Sequence, residues 1–343
     1  MKSSAPVFTQ KKIALFAGLC VLLILVFFTL GFSSYYLSRV GNIVFSSMNR
    51  RVTTKNPTET LPDQTNILLL GSDNDQKFTG NPLTQTMMVI HIDWQKKEVD
   101  MFSIPRDLWV YMPDGKSLGK IDQAAGKGGI PFAIQVVEQN FGIHIDHYAW
   151  VGLLGFIHSI NALGGVNLDA VHPVLDNAYP ADIRNDNPYD IMRLDIQAGM
   201  QHFTGEEVLQ YVRSRHEDIL GDFGRTQRQR QLLLALKDLF FHSQKSLTQV
   251  TDLSESLKDQ VKTDMDPVFA LQLAYSYITH SPLVEKQFTL LPPTYSLLMN
   301  AKDGESIVLG HASPSAALVK SIFGESAGQK TFDTLSAIEK SKP

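Results

Sequence analysis

Between Tyr211 and Gln231 the chain reads YVRSRHEDILGDFGRTQRQRQ, gathering Arg213, Arg215, Arg225, Arg228 and Arg230 into one short segment. A guanidinium stays protonated at physiological pH and offers a planar fork of donors matched to phosphate oxygens. Such a concentration suits a multiply charged anion, a diphosphate above all. Glu206, Glu207, Glu217, Asp218 and Asp222 lie beside or among these arginines, so a solvated ion-pair face of small energetic worth is the competing reading. A second group stands nearer the N-terminus. GSDND (Gly71 to Asp75) sets Asp73 and Asp75 just after one apolar run, and SIPRD (Ser103 to Asp107) sets Arg106 and Asp107 after another. Carboxylates at one strand end beside arginines from elsewhere are the parts needed to hold Mg²⁺ and a diphosphate together. Taken singly, Asp73 also suits an Asx turn, and Asp107 a salt bridge to a nearby Arg.

Those residues need elements to position them. NILLLG (Asn66 to Gly71) is a short apolar run ending at Gly, as a buried strand would be. TMMVIHID (Thr86 to Asp93) and EVDMFSI (Glu98 to Ile104) read as its neighbours, joined by the turn DWQKKE into an antiparallel hairpin. PFAIQVVEQNFG (Pro131 to Gly142) has helical apolar spacing with an early Pro and a terminal Gly. HYAWVG reads as extended, LLGFIHSINALGG (Leu153 to Gly165) as a helix and VNLDAV as a strand, while the Asp-, Asn- and Pro-rich stretch from Asp176 to Asp195 reads as a surface loop. Thr204 with Glu207 three residues on forms a capping box for a helix through EEVLQYVR, which delivers Arg213 and Arg215 at its far end. After Gly224 a second helix carries Arg225, Arg228 and Gln229 on one face by three- and four-residue spacing. FTLLPP reads as a further strand, and residues beyond Gly324 as a tail.

The 343 residues are 43% hydrophobic and 19% charged, with a net charge of -4, which argues against general nucleic-acid binding and makes any anion site local. The single cysteine, Cys20, excludes a disulfide framework or a Cys metal site, and His144, His147, His158, His202 and His216 lack zinc-ligand spacing. No P-loop is present, since neither Ser nor Thr follows Lys127 in AAGKGG. From Ile13 to Ser38 no charged side chain occurs, enough to cross a bilayer core of roughly 30 Å. The run exceeds a signal-peptide core and lacks an A-x-A cleavage pattern, so it reads as an uncleaved anchor. Leu19, before Cys20, is too large for a lipoprotein signal. Lys11 and Lys12 abut the span, favouring a cytoplasmic N-terminus and an extracytoplasmic bulk. The expected organisation is a cytoplasmic end 1–12, a transmembrane helix 13–38, a stalk 39–64, a folded domain 65–323 and a tail 324–343.

In order, NILLLGSD, TQTMMVIHID, SIPRDLWV, GKIDQAAGKGG, INALGGVNLD, FTGEEVLQYVRSRH and GDFGRTQRQRQLL resemble the LytR-CpsA-Psr family of bacterial cell-envelope proteins, over roughly Gln64 to Phe323. The resemblance implies an α/β or α+β domain, with a central mixed sheet, helices on both sides and an apolar groove for a polyprenyl chain. It also implies a membrane-anchored phosphotransferase that moves a glycopolymer from undecaprenyl pyrophosphate to a peptidoglycan hydroxyl, with pyrophosphatase action as a side reaction of the same site. The family's pyrophosphate-binding arginines fall on Arg106, Arg213, Arg215 and Arg225, with Gln229 as accompanying amide. Lys120 has either a phosphate-facing role or a salt bridge. The implied metal, Mg²⁺ or Mn²⁺, would sit on Asp73 with Gln85 and Asp107, and Asp73 joins the four arginines in the implied catalytic set. Here the chain departs from its family. Where an R-S-D-T-M motif would supply a second Asp, the residues are Leu83, Thr84, Gln85, Thr86 and Met87. Losing that carboxylate weakens the case for a hard cation and gives the alternative of a catalytically weakened carrier-lipid-binding or scaffold protein.

Overall fold

The computed structural model describes residues 61–72, 83–181, 190–214, 228–229, 231–232, 235, 261–266, 269, 272–273, 276–277, 283–290, 292–301 and 306–341. The chain divides into two compact units, one of Asp63–Val151 with His280–Pro343 and one of Gly152–Thr279. Among the described residues no helix is long and apolar enough to cross a membrane, and the expected span 13–38 lies outside them.

In the first unit β1 (Gln64–Ser72), β2 (Thr84–Asp93) and β3 (Glu98–Ser103) form an antiparallel meander, as the apolar runs and the DWQKKE turn require. β4 (Trp109–Tyr111) and β5 (Leu118–Lys120) make a short antiparallel ribbon, and β6 (His147–Gly152) lies beside β1. Both faces of the central strands are withdrawn from water. Leu68, Val89 and Phe102 share one rung on one face, and Ile67, Ile90 and Met101 share a rung on the other. Burial of each such side chain contributes about 1.5–3 kcal/mol. The helical span α1 (Ala124–Phe141) leaves helical geometry at Gly128 and Gly129 and resumes from Pro131, so the expected Pro131 to Gly142 helix is its second part. Ala133, Val136, Val137 and Phe141 of that part join the core over Leu68, Val89 and Phe102. Gly142 ends it at φ 64 with its N–H donating to Glu138, a left-handed cap that favours Gly.

The second unit opens with α2 (Leu153–Ala162) and β7 (Val166–Ala170), as expected. It continues with β8 (Val174–Pro180), β9 (Ile191–Ile196), β10 (Gly199–Phe203), α3 (Gly205–Arg213) and the short β11 (Val261–Thr263). β10 pairs with β7 and β8 with β9, both antiparallel. The expected surface loop from Asp176 to Asp195 is therefore corrected: its two ends are strands of a hairpin. Val174, Asp176 and Tyr179 turn inward, but a buried Asp and a bulge between Asp176 and Tyr179 break the apolar alternation that would announce a strand. The capping box at α3 is present, with Thr204 accepting from the Glu207 N–H and Glu207 accepting from the Thr204 N–H.

The chain then returns to the first unit. β12 (Val284–Thr289) pairs in parallel with β3, Thr289 opposite Ser103, and so completes a mixed sheet of order β6-β1-β2-β3-β12 within that unit. The strand thus begins earlier than FTLLPP, whose prolines carry a cis Pro292–Pro293 bond. β13 (Ser296–Asn300) and β14 (Ser306–Gly310) form a ribbon, and α4 (Ala312–Phe323) places Leu318, Val319 and Ile322 in the core. The expected tail after Gly324 is also corrected. Residues Glu325–Ser341 form α5, with Ala327, Thr331, Leu335 and Ile338 buried along one face and the Thr331 hydroxyl donating to the Phe141 carbonyl.

Candidate functional site

β3 ends at Ser103 and the chain turns through Arg106 and Asp107 before β4. Its backbone is fastened on all sides: Ile104 N–H donates to Met87, Asp122 N–H to Arg106, and Val308 N–H to Asp107, at 2.9–3.0 Å. The side chains are held as firmly. An Arg106 Nη1 donates to Gln85 Oε1 on β2, Arg106 Nε lies 3.5 Å from Asp107 Oδ2, and Lys120 Nζ, at the end of β5, lies 3.3 Å from Asp107 Oδ1. The arginine and lysine side chains are each only 14% exposed. Two cationic side chains, both mostly buried, thus converge on one carboxylate at a strand end. Such a cluster favours an anion.

In the second unit the end of α3 is the fixed point. Its last carbonyls have no partners inside the helix, and Arg228 supplies them: Nε donates to the Tyr211 carbonyl at 2.6 Å and Nη2 to the Ser214 carbonyl, with the guanidinium over the Tyr211 ring. A cation there also opposes the negative end of the helix dipole. Tyr211 itself donates to Gln231 Oε1 at 2.7 Å, and Gln229 Nε2 reaches the Val212 carbonyl at 3.5 Å. Ser214 Oγ donates to Asp176 Oδ2 at 2.9 Å, and Arg213 hydrogen-bonds the Tyr179 hydroxyl. Burial pushes the Tyr179 hydroxyl above its ordinary pKa, Arg213 draws it partway back, and Asp176 pushes it up again, so the phenol stays neutral.

Of the residues singled out from the sequence, Gln85, Arg106, Asp107 and Lys120 come together in the first unit, and Arg213 and Gln229 in the second. Asp73, Arg215 and Arg225 lie outside the described residues, as do Asp75 and Arg230. Lys120 and Asp107 take the salt-bridge roles that were their alternatives. Arg228 is buried under the helix end, and Arg225, with which it was expected to share a face, lies outside the described residues. His144 and His202 are exposed and bonded to Glu138 and Asn167, consistent with surface roles. Asp176, Tyr179 and Ser214 were not found from the sequence; the only local signal was the polar 176–195 stretch itself.

A divalent cation can be tested against Gln85 and Asp107. The Gln85 amide oxygen accepts from Arg106, and both Asp107 oxygens face cationic nitrogens. Among the described residues, a metal on these two would meet two positive side chains and the one carboxylate of Asp107, a poor match for an ion that favours carboxylates and water. These two residues do not fit the ion, and among the described residues no group of three His, Cys, Asp or Glu is arranged to hold one.

A family model described as the LytR_cpsA_psr family matches residues 35–300. Over 185 residues the chain is 37% identical to the probable cell wall biosynthesis protein LcpB of Corynebacterium glutamicum, covering 50% of this chain and 41% of that protein. Over 219 residues it is 32% identical to the polyisoprenyl-teichoic acid–peptidoglycan teichoic acid transferase TagV of Bacillus subtilis, covering 62% of this chain and 53% of that protein. The chain spans about half the length of these curated relatives. The crystal structure of B. subtilis TagV superimposes with a TM-score of 0.60 at 26% identity, covering 79% of this chain and 98% of that one.

Proposed function

The chain belongs to the LytR-CpsA-Psr family, and from that premise we propose that it is a phosphotransferase moving a glycopolymer from an undecaprenyl pyrophosphate carrier to a peptidoglycan hydroxyl. The observation that carries this reading is the convergence of Arg106 and Lys120, each mostly buried, on Asp107 at a strand end, where guanidinium and ammonium donors suit a diphosphate. The hydroxyl oxygen attacks the polymer-linked phosphorus in line and its proton passes to water, the bond from that phosphorus to the bridging oxygen breaks, and undecaprenyl phosphate leaves. Arg106 and Lys120 would offset charge developing on the phosphoryl and bridging oxygens, and Arg213, Arg215, Arg225 and Gln229 would serve as diphosphate-binding groups, as family membership implies. Asp107, shared between two cations, serves to orient them. Water in place of the sugar hydroxyl would give the pyrophosphatase side reaction. Mg²⁺ or Mn²⁺ would be held by Asp73 and the substrate's own phosphates, without Gln85 or Asp107. The span 13–38 would anchor the protein by a single pass, with the domain extracytoplasmic beside the acceptor wall.

A second reading, a carrier-lipid-binding or scaffold protein with little turnover, is favoured by Gln85, whose amide accepts from Arg106 where a carboxylate would bind metal. One experiment separates the two. The full-length chain in detergent micelles is given polyprenyl diphosphate-linked polymer with peptidoglycan acceptor, with and without Mg²⁺, beside Arg106→Ala and Gln85→Asp. Transfer that falls roughly 100-fold or more in Arg106→Ala supports the enzyme. Binding without transfer in the parent, with transfer appearing only in Gln85→Asp and Mg²⁺, supports the second reading.

A further inference from the structure

We propose that Asp176 and Tyr179 are positioning residues of the anion site: a bulge in β8 brings both to the end of α3, where they fix the peptide and the side chain that present Arg213. In the β8–β9 hairpin the register slips between Asp176 and Tyr179, and the Ala178 N–H inside the bulge donates to Asp176 Oδ1 at 3.1 Å. A regular strand would point residues three apart to opposite faces; the extra residue brings these two to the same side. Asp176 is 1% exposed and Tyr179 5% exposed. Asp176 Oδ2 receives the Ser214 hydroxyl, and Tyr179 receives Arg213.

These contacts are not what a hairpin core needs. A buried carboxylate is costly to desolvate, and apolar side chains of similar size would cover the same strands at less cost. What the polar pair adds is definition at residues 213 and 214, the step just before Arg215. Arg228 grips the Tyr211 and Ser214 carbonyls of the same turn, so the peptide carrying Arg213 is held through its backbone by Arg228, through Ser214 by Asp176 and at its guanidinium by Tyr179. A preset arginine loses less side-chain entropy when an anion arrives.

The inference rests on reading the end of α3 as part of a diphosphate site, and a double-mutant cycle tests the two separately. Inorganic pyrophosphate is titrated calorimetrically into the full-length protein in micelles, into Tyr179→Phe, into Arg213→Ala and into the double variant, with thermal unfolding recorded for each. Tyr179→Phe is expected to bind roughly tenfold more weakly with its melting temperature held, and to cause no further loss once Arg213 is Ala. Unchanged binding in Tyr179→Phe, or an equal loss in both backgrounds, overturns the positioning role while leaving the site intact. Parent-like binding by Arg213→Ala overturns the site and the inference with it. If Tyr179→Phe fails to fold, Ser214→Ala takes its place in the cycle with the same expectations.

Discussion

Asp100 on β3 stands directly opposite His91 on β2 and Lys286 on β12. Burial raises the Asp100 carboxyl from 3.8 to about 6, with Lys286 opposing and Glu98 adding to the rise. Between those values the folded protein holds a proton that the unfolded chain releases, so Asp100 makes stability fall as pH rises through that window. His91 acts the other way. Burial lowers its pKa below 6.5, so the unfolded chain takes up a proton first and stability falls as pH drops. Asp100→Asn should therefore stabilise the protein at neutral pH by on the order of 1–2 kcal/mol after solvent screening, and remove the Asp100 fall of stability with rising pH while leaving the losses at lower pH from His91 and Asp93. Urea unfolding across pH 4 to 7.5 would measure it, and an unchanged profile would remove Asp100 as its source. At this scale Arg106 and Lys120 were legible because their types and strand-end setting announce charge. Asp176, Tyr179 and Arg228 were not. Residue type cannot tell an arginine that binds a ligand from one bound to carbonyls, as Arg228 is.

The element that presents Arg213 depends on how closely α3 approaches α2. A Cβ on Gly205 would collide with the backbone carbonyl of Ile157, while the Gly205 N–H donates to Asn161 at 2.7 Å. Gly205→Ala should push the helices apart and destabilise the protein by about 1–3 kcal/mol, against about 1 kcal/mol for loss of the cap in Thr204→Ala. Thermal unfolding of the two variants would rank them, and an equal or reversed order would show that the helix start has room. The capping box made α3 readable, and unbroken apolar runs did the same for β1, β2 and β3. The β8–β9 hairpin and α5 lacked such signals. In α5 the buried positions are largely small or polar, Ala327, Gly328, Thr331 and Thr334, so helical spacing was present with little hydrophobic contrast to reveal it.

At the scale of the molecule, the first unit brings together Asp63–Val151 and His280–Pro343, stretches far apart in sequence. α5 belongs to the first unit's structure. Its Leu335 and Ile338 are buried, and Gly142 passes so close that a Cβ there would meet Lys330 at 2.5 Å. A chain ending at Gly324 should lose roughly 4 kcal/mol or more from those two side chains alone, and calorimetry should find its melting temperature sharply lowered or its cooperative transition gone. An unaltered transition would make α5 dispensable. The fold class was legible because alternating strands and helices survive any arrangement of the ends. The return of the chain to β3 was not, since parallel pairing over such a separation leaves no local mark.

That return sets a clock on the ribosome. β3 has left the tunnel long before β12, roughly 190 residues later, which at roughly 5–20 residues per second is on the order of ten to forty seconds of synthesis. Throughout that interval the nascent chain carries an unpaired row of backbone donors and acceptors along β3, flanked by Val99, Met101 and Phe102. Another copy emerging nearby offers an equivalent edge. Crowded polysomes and premature release are therefore the conditions under which this protein is most prone to pair with itself, however stable it is once finished.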